Sequence, residues 1–127
     1  MVDALDKLIV DEKETVDMDL LASIVRDFLK FTKEGEIFFE KNFFDLKDWQ
    51  KLLIYLLGRK VVFVKNLKKD FKEEVSPSEI KELLKIPPKS TTKYASVELK
   101  GIIKSDKGNY KIPNFNLFKC QEVLKKK

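Results

Sequence analysis

The run Ser76-Pro77-Ser78-Glu79 constrains this chain more than any other stretch of it. A serine can accept a hydrogen bond from the first turn of a helix. Proline suits the first helical position, where its missing N–H would be unpaired anyway, and a glutamate three residues on completes a capping box. A helix therefore starts here, with Ile80, Leu83 and Leu84 on one apolar face over about two turns. Ile86-Pro87-Pro88 ends it, because the residue before a proline is pushed out of the α region. After a tight turn Ser90 caps a second helix, Thr91 to Lys100, and Gly101 stands where a left-handed C-terminal cap is wanted. The pattern then becomes strand-like. Ile102-Ile103-Lys104-Ser105 and Tyr110-Lys111-Ile112 flank Asp106-Lys107-Gly108-Asn109, a β-hairpin with a glycine-containing loop. Pro113 and Asn114 close it, and Phe115, Leu117, Phe118, Val123 and Leu124 mark a final helix that ends in three lysines.

Upstream, Leu8-Ile9-Val10 reads as a brief element before an acidic loop. Leu21, Ile24, Val25 and Phe28 recur at i, i+3, i+4 and i+7, one face of a helix that Asp17 or Asp19 can cap and that runs to about Phe31. Glu34-Gly35 breaks it. Residues 36–44 are short, aromatic and bounded by turn residues, which predicts a strand. Asp45 then caps the main core helix, in which Trp49, Leu52, Leu53, Leu56 and Leu57 form a wide apolar stripe with Lys47, Lys51, Arg59 and Lys60 elsewhere. Val61, Val64 and Leu67 continue the drift, so this helix is expected to reach about Leu67.

With 127 residues the chain can build one core, and the expected organisation is an acidic N-terminal extension (1–35) ahead of a single domain (36–127). It contains no histidine and one cysteine, Cys120. This removes Ser-His-Asp and Cys-His nucleophilic chemistry, His-based metal sites and any intramolecular disulfide. An enzymatic reading would rest on carboxylates such as Asp11, Glu12, Asp17 and Asp19, which are ordinarily caps or solvated loops, and no glycine-rich phosphate loop accompanies them. No catalytic residue, metal or cofactor is expected. No apolar run approaches the roughly 20 residues of a membrane span, so the expected location is cytoplasmic.

The order strand, long helix, capped helix, tight turn, helix, hairpin, helix resembles a winged helix-turn-helix domain over about residues 36–124. The residues that carry the resemblance are Ser76 to Glu79, Ile86-Pro87-Pro88, and the run from Ser90 to Ile112. Among such domains the chain looks most like short archaeal winged-helix DNA-binding proteins, a group assigned mostly by fold. The implied fold class is mainly α with a small β-hairpin, a winged helix-turn-helix with an N-terminal helical extension. The resemblance implies that residues 91–100 are the recognition helix, that Ile80 to Leu84 lie on the helix that positions it, and that residues 104–111 are the wing. Two phases of the recognition helix stay open. Ser90, Tyr94 and Val97 form one apolar face, and Thr91, Ala95, Leu99 and Ile102 the other. Thr92, Lys93, Ser96 and Lys100 point outward in the first, and Lys93 and Lys100 in both.

The formal charge of +5 hides an asymmetry: residues 1–50 carry 7 basic and 13 acidic side chains, and residues 51–127 carry 19 and 8. Between residues 89 and 111 six lysines face two acids. Lysines on a helix and hairpin reach phosphates beside a groove, and serine or threonine hydroxyls donate to them. The expected duplex-DNA contacts are Lys89, Ser90, Thr91, Thr92, Lys93, Ser96, Lys100, Lys104, Lys107 and Lys111. Residues 89–100 contain no Arg, Asn or Gln, the side chains that read guanine and adenine edges, so phosphate-dominated and shape-based recognition is expected. A transcriptional regulator of this kind is expected to be a homodimer through Leu21, Ile24, Val25 and Phe28, the alternative reading being that this helix covers its own core. The competing class is a protein-interaction module that docks partners through the acidic N-terminal half.

Overall fold

The structure, a computed structural model, describes residues 17–126. The brief element expected at Leu8-Ile9-Val10, and Asp11 and Glu12, lie outside them. The fold is mixed α+β and mainly helical, with five α-helices and two small antiparallel hairpins among the described residues. Helix α1 (Met18–Val25) starts at Asp17, whose carboxylate accepts the Leu20 N–H at 3.0 Å. That gives one of the four acids considered for metal binding a capping role.

Strands β1 (Leu29–Phe31) and β2 (Ile37–Phe39) pair with Leu29 opposite Phe39 and Phe31 opposite Ile37. Leu29, Phe31, Ile37 and Phe39 turn inward, while Lys30 and Phe38 face solvent. The first helix is therefore shorter than its apolar period suggests, because residues 29–31 gain a strand partner across the Thr32–Glu36 turn. Gly35 makes this turn with φ +88°, and a Cβ there would lie 2.9 Å from the Lys68 Cβ. The boundary expected after residue 35 falls inside this hairpin. Of the strand expected over 36–44, only the first part is extended. Lys41–Asp45 form a 3-10 turn that stacks Phe43 under Phe39 at 4.4 Å.

Helix α2 (Asp48–Val64) is the axis of the molecule, with residues 52–60 buried without interruption. It touches α1 and the elements introduced below on its other sides, so it is apolar nearly all round. Its N-cap is Lys47, two residues beyond the expected Asp45, and the Gln50 side chain accepts the Lys47 N–H at 2.9 Å. It stops at Val64, short of Leu67. Asn66 takes φ +51°, the Asn66 N–H bonds to the Phe63 carbonyl and the Leu67 N–H to the Val62 carbonyl, each at 3.1 Å. These are the two bonds of a Schellman cap with asparagine in the left-handed position. Gly58 lets the first hairpin close on α2, since a Cβ there would sit 2.6 Å from Leu29 Cδ1.

Arg59 and Lys60 correct the sequence reading, which set them away from the apolar stripe. Both are buried, Lys60 at 1 % exposure. The connection from α2 to the next helix folds back over them and supplies polar partners. Arg59 donates to the carbonyls of Lys72, Glu73 and Glu74 at 2.6–3.1 Å and to the Tyr55 hydroxyl, with Phe71 across its guanidinium face. Lys60 donates to Glu73 Oε2 at 2.6 Å and to Asn114 Oδ1.

Helix α3 (Pro77–Leu84) begins as expected, with Ser76 Oγ accepting the Glu79 N–H at 3.2 Å. Its carboxylate is directed differently from a full capping box: Glu79 lies 3.4 Å from the Ser76 hydroxyl and 3.6 Å from Arg59. The helix ends in Lys85, left-handed at φ +61°, before the prolines are reached. Helix α4 (Pro88–Ser96) starts earlier than expected. Pro88 occupies its first turn and Pro87, with no side-chain bond, its N-cap, so Ser90 lies within the helix. The helix also ends earlier than expected, at Ser96 with Val97 as its C-cap, so Gly101, at φ +79°, is left-handed in the following turn and does not cap it; strands β3 (Lys104–Asp106) and β4 (Asn109–Lys111) form the second hairpin. A 3-10 turn (Asn114–Asn116) leads into α5 (Leu117–Lys126), which packs on α1. Cys120 is fully buried, and burial pushes its thiol up from 9.0 to about 12, so it is held neutral. No helix among the described residues is long and apolar enough to cross a membrane.

Candidate nucleic-acid interface

Helix α4 settles which of the two phases the sequence leaves open. Thr91 and Leu99 have no exposed surface, Ala95 is half-buried and Ile102 is buried, so the face of Thr91, Ala95, Leu99 and Ile102 is the inner one. Val97, a member of the rival face, is 62 % exposed. Thr91 is therefore removed from the expected contact residues. Its side chain is enclosed in the core, and its hydroxyl has no hydrogen-bond partner there.

The opposite side of α4 presents Lys89, Thr92, Lys93, Ser96 and, just past its end, Lys100, all exposed. Ser90 is half-buried at the margin. The hydroxyls of this face are already used within the helix: Thr92 Oγ1 donates to the Pro88 carbonyl at 3.0 Å and Ser96 Oγ to the Thr92 carbonyl at 3.0 Å. Lysines carry the face, and the threonine and serine fill the space between them. Tyr94 is half-buried, and burial, with Asp48 and Glu98 nearby, raises its phenol above the usual 10.0 and keeps it protonated.

The second hairpin adds Lys104 and Lys107, both exposed. Lys107-Gly108 forms a two-residue loop with φ of +53° and +83°, the left-handed pair of a type I′ turn. Lys111 differs from the others, being half-buried and already engaged with another group. The hairpin is tied to the body by one residue pair: the Val75 N–H donates to the Tyr110 carbonyl at 3.0 Å and the Tyr110 N–H to the Val75 carbonyl at 2.9 Å. Val75 directly precedes the Ser76 cap, so α3 and the hairpin share an anchor. The Tyr110 hydroxyl also lies 3.5 Å from Thr92 Oγ1, which joins the hairpin to α4.

Two cations outside the expected set border this face. Lys85 shares a concavity with Ser78, Lys81, Glu82 and Pro87 between α3 and the start of α4, and Lys119 Nζ lies 3.4 Å from the Gly101 carbonyl in the turn after α4. The signal for Lys85 was the Ile86-Pro87-Pro88 turn itself. Lys119 is brought in by α5, a helix the sequence marks without indicating that it packs beside Gly101. The expected dimer contacts are corrected. Leu21, Ile24 and Val25 lie in the chain's own core against α2, and only Phe28 stays half-buried. An amphipathic face of this width found its partner within the chain.

Comparison of the chain with protein-family models, with curated proteins and with solved structures finds no match.

Proposed function

We propose that the segment from α2 to β4 is a winged helix-turn-helix and that the protein binds duplex DNA through α4 and the second hairpin, as a transcriptional regulator with no catalytic step. The observation that carries this reading is a set of exposed cations: Lys89 and Lys93 on α4, Lys100 just past its end, and Lys104 and Lys107 on the hairpin whose Tyr110 lies against Thr92 of α4, none of them in an ion pair among the described residues. The Val75–Tyr110 pair supports it, since it gives the hairpin a third strand position beside the two short helices. Backbone strain adds an independent argument. Lys85 and Lys107 both hold left-handed backbone, where glycine or asparagine would be easier, and strain retained at charged surface positions points to use.

A second reading, a winged helix used to dock proteins, draws on the exposed apolar side chains Val97, Phe115 and Phe118. The two separate experimentally. Reversing Lys89, Lys93, Lys104 and Lys107 to Glu together is expected to abolish binding to random-sequence duplex while leaving the circular dichroism spectrum and unfolding midpoint near those of the parent. Retained duplex affinity in that variant would sink the DNA reading.

A further inference from the structure

A groove of about 480 Å³ runs between α1, β1 and the C-terminal end of α2, on elements that contribute nothing to the lysine face. Buried Leu21, Val25 and Leu29 form its floor. Ala22, Phe31, Val61 and Val64, none of them fully buried, leave carbon surface open to it. Three exposed cations line the same groove, Arg26, Lys30 and Lys65, against the single acid Asp19. None of the three is in an ion pair among the described residues. Arg26 and Lys65 are the C-caps of α1 and α2, where a cation complements the carbonyl end of a helix. Lys30 has no such local reason: it stands in the middle of β1 between Leu29 and Phe31, both of which pack with the core.

Size and charge together select the occupant. A volume of this order is that of a small-molecule pocket. Two turns of a docked helix, about 10 Å across and 11 Å long, would fill roughly 850 Å³, more than the groove encloses. An apolar trough lined by three cations suits a molecule with a hydrocarbon body and one anionic end. Arg26 offers the planar fork that matches a carboxylate in two parallel hydrogen bonds, and Lys30 and Lys65 add point charges.

We propose that this groove binds a medium-chain alkyl carboxylate, with its chain along Ala22, Val61 and Val64 and its head group among Arg26, Lys30 and Lys65. The site lies apart from α4 and the second hairpin, and it stands whether or not they meet DNA. Each methylene that leaves water tightens binding about fourfold, so affinity rises with chain length until the groove is full.

Titration of decanoate into full-length protein labelled at alanine and valine methyls tests the proposal. The Ala22, Val61 and Val64 methyls are expected to shift saturably while those of exposed Val97 stay in place. Octanoate should bind more weakly by about fourfold per methylene removed. Decylammonium, the same chain with the opposite charge, should bind at least about tenfold more weakly than decanoate. An Arg26→Glu/Lys30→Glu variant, changed only at exposed positions, should keep the parent's unfolding midpoint and lose the preference for decanoate. Groove methyls that stay unshifted up to the solubility limit of decanoate, equal affinity for the two head groups, or a preference that survives in the variant would each overturn the proposal. So would shifts of these methyls with protein concentration in the absence of ligand, which make a second chain the occupant.

Discussion

Lys60 shows how a residue usually counted as surface becomes structural. Its ammonium is 1 % exposed and is held by Glu73 and Asn114, groups 13 and 54 positions away in the chain. Removing one partner of a buried ion pair leaves the other charged and unsolvated, which costs roughly 3–5 kcal/mol. Lys60→Ala should therefore lower the unfolding free energy measured by urea titration by that order. Lys68→Ala, which breaks an exposed 3.6 Å pair with Glu36, should change it by about 1 kcal/mol or less. Equal effects of the two substitutions would mean that Glu73 finds water or another donor when Lys60 is gone. The burial of Arg59 and Lys60 was illegible locally, because apart from Tyr55, one turn before Arg59, their hydrogen-bond partners lie 13 or more positions away in the chain. Thr91 is a similar case. Both phases of α4 fit its short sequence, and only the packing of Leu99 and Ile102 against the core decides which side of the helix turns inward.

Single elements were legible where their signals were local. Ser76 and Pro77 start α3 as their chemistry requires, and Lys107-Gly108 makes the hairpin loop, whereas Gly101 is left-handed in the turn after α4 and not at its cap. Errors arose where two local tendencies agreed and a distant contact chose otherwise. Phe28 and Phe31 extend the apolar period of α1, yet pairing with Ile37–Phe39 on the surface left open by Gly58 turns residues 29–31 into a strand. Val61, Val64 and Leu67 extend the period of α2, yet Asn66 was an available stop signal. The hairpin also carries a measurable conflict. A non-glycine residue in left-handed backbone costs roughly 1–2 kcal/mol, and asparagine tolerates it better than lysine. Lys107→Asn is accordingly expected to raise the melting temperature by a few degrees while weakening duplex binding, and it should make the salt slope shallower by about 0.9 if Lys107 meets a phosphate. A substitution that raises both stability and affinity would show that the hairpin tip does not touch the ligand.

Over the whole molecule, the proposed interface is built almost entirely of lysines from two elements, with no arginine, asparagine or glutamine on the exposed side of α4. Lysine acts on phosphate as a point charge and carries little information about base edges. Neutralising four to six phosphates gives a log-log slope of affinity against salt of roughly −4 to −5, with small differences between duplex sequences. Fluorescence anisotropy across a salt series measures both; a slope near zero would contradict a phosphate-dominated face. The joint between Val75 and Tyr110 sets how the hairpin is held. The reciprocal pair at 2.9–3.0 Å, the buried Tyr110 beside it and the 3.5 Å approach of its hydroxyl to Thr92 fix the base of the hairpin, while the Lys107-Gly108 tip stands exposed. Because Val75 also adjoins the Ser76 cap, a substitution that displaces it is expected to disturb the start of α3 and the base of the hairpin together.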